Sequence, residues 1–495
     1  MTGNKGTDSG DQPDINPLQT FSEAATNPYL NLKWRSVYES VSRCNTVILV
    51  TAAALEDGAI DQAQADIFVK QARVLRGWYH FEAWRMWAMI PYVDEETDQS
   101  TLVNTEDVRA KIIADLTEGT TLPDDMGQIG KFNGTVAKVL LAKAEMQMNK
   151  DYTKAMGLLQ GVANNGKKPD GSAIGLAATF GEIFEIVNRN GIEAVYTVQY
   201  SVNDGSGGWN GGWGEVLNFP YKSGESPGGC CGFFQPTQEF VNSFRTSGGL
   251  PLQDYLYNND PVLNDQGIDI NDPFVEDTGP LDPRLDWTVG RRGIPYLDWG
   301  DHTGNDWIRD QTYAGPFSPK KQVYKRSDEG ATTEVGNWTS GWTANGYRMI
   351  RYADVLLMLA ECQIETNDLT GALTNINLIR SRAANTAGFV TEDDGTTPAA
   401  NYVISTYASF PDQSFARDAL RMERKLELGM EGHRWFDLNR WGNTVTELNR
   451  VLTYEKTMPW ASLMYGNATV GPEDVTYPIP QRQIDLSQGN LSQNR

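Results

Sequence analysis

Long apolar runs are missing from this chain of 495 residues. No stretch reaches the about 18 consecutive apolar residues that a membrane-spanning helix needs. Histidine is scarce: the three, His80, His302 and His433, lie far apart, so metal–histidine chemistry is not expected. There are four cysteines. Cys44 and Cys362 sit in helical, apolar contexts and read as buried thiols. Cys230 and Cys231 are adjacent in GGCCG, which leaves open a strained vicinal disulfide, and no zinc spacing surrounds them. Basic residues are in deficit, 42 Lys and Arg against 64 Asp and Glu, a formal charge of −22. Such a surface disfavours nucleic-acid backbones and anionic lipid, and suits a neutral or cationic ligand better. The opening MTGNKGTDSGDQPD has no hydrophobic h-region. Either the chain is cytoplasmic or a targeting segment has been removed.

What the chain does have is helical periodicity in two blocks. In the stretch 347–382, Ile350, Ala353, Leu357, Ala360, Cys362 and Ile364, then Ala372, Ile376 and Ile379, recur at helical spacing, with a turn at Asn367 and Asp368. Two antiparallel helices of this length are the unit of a tetratricopeptide-type array, a fold used for holding rather than for chemistry. An echo lies at 132–166, where an Ala/Leu helix, an Asn-Lys-Asp turn and a second Ala/Leu helix follow one another. Further helices are expected at 32–55, 61–89 (ended by Pro91), 106–119 and 414–441.

From 171 to 345 the periodicity fades, and Gly, Pro, Asp, Asn and aromatics dominate. The predicted fold is therefore mainly α: tetratricopeptide-like helix pairs forming a scaffold, with a large irregular region carrying short strands. The expected organisation is a flexible arm at 1–30, a helical part at 31–170, the irregular part at 171–345 and a second helical part at 346–495. No clean linker separates them, so they read as one interleaved domain.

Three blocks give this organisation a family. In RYADVLLMLAECQIETNDLTGALTNINLIRSRA stand Arg351, Tyr352, Asp354, Ala360, Glu361, Ala372, Leu373, Asn377, Arg380, Arg382 and Ala383. In LRMERKLELGMEGHRWFDLNRWG stand Glu423, Arg424, Glu427, Gly432, Arg434, Trp435, Asp437 and Leu438. The chain closes on YPIPQRQIDLSQGNLSQN, with Gln483 at a usually acidic place. On these blocks the chain resembles the SusD/RagB family of outer-membrane glycan- and nutrient-binding lipoproteins, over nearly its whole length from about residue 30. The resemblance implies a cell-surface protein on the extracellular face of the outer membrane. It would capture a glycan and pass it unchanged to a SusC-like TonB-dependent transporter. It also implies a lipid anchor on an N-terminal cysteine, and neither that cysteine nor its signal stands in this sequence.

Read physically, Arg351, Asp354, Glu361, Arg424 and Arg434 are interhelical charge pairs rather than catalysts. Glu427 and Glu431, at i and i+4, are poor glycosidase candidates, because such carboxylates must oppose each other across a sugar. No catalytic residue is expected. The functional signal is tryptophan: of the fourteen, Trp209, Trp213, Trp287, Trp299, Trp307, Trp338 and Trp342 crowd into 209–342, among Gly, Asp and Asn. Apolar C–H faces of sugars stack on aromatic rings, and their hydroxyls pair with polar side chains. Trp209 and Trp213, surrounded by glycine, are the expected stacking rings, followed by Trp299 and Trp307. Asp298, Asp301, Asn305 and Arg309 are the nearby polar groups, and Trp84 on an amphipathic helix is expected to border the site. A neutral glycan is favoured. The oxygen-rich run YNNDPVLNDQGIDINDPF lacks the spacing of a Ca²⁺ loop, so no metal and no cofactor is expected. The rivals are an all-helical glycoside hydrolase and a RagB-like peptide binder.

Overall fold

The computed structural model describes residues 1–214, 216–222, 226–227, 229–336, 339 and 341–495. These fall into two compact units, both discontinuous in sequence. One comprises Thr20–Ala173, Asn439–Val445 and Val470–Arg495; the other Met1–Gln19, Ile174–Leu438 and Thr446–Thr469. The division expected from composition differs: the closing segment belongs to the same unit as the first helices. Residues 1–19, expected to be a free arm, belong to the second unit, where Gly3 and Gly6 bridge to Pro236 and Phe233 and Lys5 and Thr7 are buried.

The first unit is built from α1 (Pro28–Glu56), α2 (Gln62–Trp87), α3 (Arg109–Glu118), α4 (Gly134–Ala144) and α5 (Tyr152–Asn165), neighbours in sequence packing on one another. Side-chain caps set their starts: Asn27, Asp61, Asn133 and Asp151 accept from the backbone N–H of Tyr29, Gln64, Val136 and Lys154. α1 and α2 run antiparallel, so that Trp34 packs edge-on against Trp87 and Cys44 and Ile48 meet Ala72. The tail seals this unit, because Trp87 Nε1 donates to the Pro478 carbonyl and Tyr477 N–H to that of Met86. His80 is fully buried between the Arg76 carbonyl and the Val93 N–H, and burial pushes its pKa down to about 3.

In the second unit, β1 (Ala194–Val198) pairs antiparallel with β4 (Tyr347–Arg351), and between them lies a hairpin of β2 (Thr333–Glu334) and β3 (Trp342–Thr343). The helical stretch expected from 347 thus begins five residues later. α6 (Tyr352–Glu365), α7 (Leu369–Ala383) and α8 (Gln413–Leu428) follow. The α6–α7 turn matches the α4–α5 turn: Asn367 and Lys150 both take positive φ, and Asp368 and Asp151 both cap the next helix. The helix expected over 414–441 is broken after Leu428, and Arg434–Trp441 is separate. The break falls at Gly429, where a Cβ would stand 2.3 Å from the Phe240 ring.

The charges of the motif blocks pair off in this unit, mostly buried, in a large cluster around Glu427 and two smaller ones around Arg424 and Glu447. Glu427 meets Arg284 at 3.1 Å, Arg351 at 3.0 Å and Arg382 at 2.5 Å. Arg351 also holds Glu193 and Glu431, and Arg284 and Arg380 share Glu423. Arg424 bridges Asp354 and Asp437, and Arg434 meets Glu447. Burial opposes ionisation of Glu431, but Arg351 and Lys321 hold its pKa down to about 2. Glu431 and His80 both titrate below their unfolded values, so each contributes stability that is present above the unfolded pKa and lost below it. The melting temperature should fall with pH from about 6.5 downward through His80, and more steeply below about 4.5 through the carboxylates. A flat melting curve from pH 7 to pH 3, followed by circular dichroism, would contradict this.

Candidate functional site

The second unit contains an aromatic core of Val216, Phe219, Tyr296, Trp307, Val323, Tyr324 and Trp342. On it stands a pile of three indoles. Trp342, 6% exposed, is the base; Trp213, 39% exposed, lies 5.0 Å above it; and Trp209, 75% exposed, stacks on Trp213 at 5.2 Å and 27°. The order of exposure leaves one full ring face for a ligand, the outer face of Trp209. Trp213 is its support, in contact with both other rings and about half as exposed as Trp209.

Glycine makes this pile sterically feasible. Gly208 has φ +84°, and a Cβ there would stand 1.6 Å from the Trp342 ring; at Gly336 it would stand 2.6 Å away. The loop is fastened to the hairpin beneath it. Asn203 donates its N–H to Glu334 and its amide to the Gly330 and Thr333 carbonyls, and Gly212 N–H donates to the Thr343 carbonyl. Trp213 Nε1 donates to the Gly208 carbonyl at 3.0 Å. Behind the pile, Gly232 and Phe233 donate to the Phe219 and Leu217 carbonyls, and the preceding Cys230 and Cys231 are joined as a vicinal disulfide.

The remaining expected site residues are dispersed. Trp299 is half-buried against the same core, donating Nε1 to the Tyr324 carbonyl, with Arg326 over its ring at 5.7 Å. Asp298 beside it is exposed, but its carboxylate accepts the N–H groups of Arg326 and Ser327. Partial burial opposes that charge, and these donors still hold its pKa below the usual carboxylate value. Asp301 is exposed, and its carboxyl is raised by burial and by Asp393. Trp307 corrects the expectation most clearly. It is 2% exposed, edge-on to Tyr296 and His302, and shows no face to a ligand. Asn305 is exposed and opens the turn into Trp307. Arg309 is occupied: it pairs with Asp8 at 2.8 Å and Asp11 at 2.5 Å and lies over Tyr221. Trp84 is half-buried on α2 in the other unit, and Trp287 donates to the Gly388 carbonyl. Trp338 lies outside the described residues. The sequence-based site set lacked Trp342; the glycines before Trp209 and Trp342 were the available signal.

The side chains of Glu427 and Glu431 are buried and spent on arginines, which removes them as an acid–base pair. Among the described residues no group of three or more His, Cys, Asp or Glu could hold a metal ion. Nor is any described helix long and apolar enough to cross a membrane.

The second unit thus combines helix pairs with an exposed indole pile on a glycine-set loop. Comparison with known proteins supplies the class. The SusD family model matches residues 192–495. A SusD-like protein P25 of Formosa agariphila is 22% identical over 476 residues, covering 92% of this chain and 76% of that protein. A SusD superfamily protein from Bacteroides vulgatus has a TM-score of 0.69 at 18% identity, covering 100% of this chain and 91% of that one. Surface glycan-binding protein A from Bacteroides thetaiotaomicron, solved in complex with laminarihexaose, has a TM-score of 0.67 at 20% identity, covering 99% and 91%. The chain belongs to the SusD family.

Proposed function

We propose that this protein captures a non-acidic oligo- or polysaccharide, a neutral one above all, at the outer membrane surface and delivers it, chemically unchanged, to a SusC-like TonB-dependent transporter. The observation that carries the binding step is the Trp209 ring, 75% exposed on a pile anchored in the core. An exposed indole face supported from below keeps its position when a sugar's apolar face is laid on it, so little ordering entropy opposes binding. Trp299 supplies a second, weaker aromatic contact on the same core. Laminarihexaose bound to a relative of the same fold supports a glycan ligand. The transporter, the lipid anchor and the surface location rest on family membership.

Native affinity electrophoresis tests the binding step. The protein should be retarded in a gel containing at least one of laminarin, xyloglucan, xylan or mannan. The same mixtures should release no new reducing ends. Turnover abolished by one carboxylate substitution would replace the binder with a hydrolase; free migration in all four gels, with retention on a peptide column, would replace it with a peptide binder.

A further inference from the structure

The two segments that build the indole pile carry no basic residue. Between Arg189 and Lys222 stand Glu193, Asp204 and Glu215, and between Arg326 and Arg348 stand Asp328, Glu329 and Glu334, with no Lys or Arg in either interval. Most of the flanking cations are engaged elsewhere: Lys222 bonds Asp306, Lys325 pairs with Glu185 at 2.6 Å, and Arg348 is buried on Gln322 and Asn345. Arg326 is exposed over Trp299, so the charge selection belongs to the Trp209 ring alone. Glu193 is buried between Arg351 and Arg382. Asp204 is different: it is exposed, and its donors are neutral, the Ser206 N–H at 2.9 Å, the amide of Asn210 at 2.9 Å and the Ser206 and Ser201 hydroxyls. Asn210 directly follows Trp209, so this carboxylate is fixed on the turn that presents the stacking ring. The Ser206 hydroxyl and the Asn210 amide hold it ionised well below the usual carboxylate range.

We propose that this site reads the charge of the sugar. It favours amino and neutral sugars over uronic and sulfated ones, with Asp204 as the specificity-determining carboxylate. The inference rests on the platform being the glycan site. An ammonium group near an indole face is drawn to the negative face of the ring and to Asp204 at once. A uronate carboxylate meets repulsion from both. At exposed separations of several ångströms one like charge contributes about 1 kcal/mol or less, which corresponds to a discrimination of about threefold to fivefold at low salt.

The test measures quenching of tryptophan fluorescence by three oligosaccharides of equal length: glucosamine, N-acetylglucosamine and galacturonic acid oligomers. Affinity should fall in the order amine, acetamide, uronate at low salt, with about threefold or more between the amine and the acetamide. High salt, or a pH above the sugar amine's own pKa, should close the gap between amine and acetamide. Asp204→Asn, which keeps the side chain's size and its acceptance of the Ser206 N–H but gives up the second acceptor oxygen that holds the Asn210 amide, should narrow it as well. Uronate binding as tight as amine binding, or an unchanged ratio in Asp204→Asn, overturns the charge selection while leaving a glycan platform in place. Quenching by none of the three, with Trp209→Ala indistinguishable from the parent, overturns the platform and this inference with it.

Discussion

Trp209→Ala is expected to abolish retardation in a glycan gel while leaving the melting temperature unchanged. The ring is 75% exposed, so its removal takes little from the core. Its loss takes from the ligand one stacked face, about 2 kcal/mol when apolar contact and ring-specific attraction are combined, or about thirtyfold in affinity. Trp213→Ala should act at one remove. It leaves Trp209 in the chain and removes the ring on which Trp209 rests, so affinity should drop by a smaller factor, about fivefold, through loss of preorganisation. Trp307→Ala is the contrast. That ring fills the aromatic core, and its truncation should cost about 3–5 kcal/mol of stability with no selective effect on the folded protein's affinity. Titration calorimetry together with thermal unfolding separates these outcomes. If Trp209→Ala binds like the parent, the pile is not the glycan site.

The second large effect is on folding. Glu427 is fully buried and accepts from three guanidinium groups, those of Arg284, Arg351 and Arg382. Burial alone would push its proton affinity up, but the three arginines reverse that and hold it strongly ionised. Glu427→Gln keeps the size and removes the charge, leaving three buried cations facing a neutral amide. Breaking a buried pair in this way costs about 3–5 kcal/mol, because three desolvated guanidinium groups lose the carboxylate they share and keep only Asp282, Glu423, Glu193 and Glu431 to balance them. Chemical denaturation should show that loss, and whatever folded protein remains should still bind glycan, since Glu427 is no part of the pile. A loss below about 1 kcal/mol would mean the network contributes little to stability.

The two predictions separate what the motif blocks do from what the ligand meets. Arg351, Arg382 and Glu427 are prominent in the sequence because they hold β4, α7 and α8 together from inside. The tryptophans lie where no motif points. Their candidacy came from composition, a ring set among glycines with few apolar neighbours to bury it. As an argument about exposure it holds at Trp209 and fails at Trp307, whose ring is covered by nearby Tyr296 and His302 together with a cluster that brings Val216, Phe219 and Trp342 from elsewhere in the chain. Arg309 fails for the same reason, since its partners Asp8 and Asp11 lie three hundred residues away in a segment expected to be free. The strand at Tyr347–Arg351 was hidden because a short pairing with Ala194–Val198 is a long-range event, and the apolar pattern there fits helix and strand alike.

Local sequence placed most of the helices and the turns at Lys150–Asp151 and Asn367–Asp368, though not the break after Leu428, and its motif blocks pointed to the family. All of these are encoded in contacts a few residues apart: periodicity, caps and breakers. Only the tertiary structure decided which ring faces water. Exposure depends on what the rest of the chain lays over a residue, and it made Trp342 the base, Trp213 the support and Trp209 the one open face.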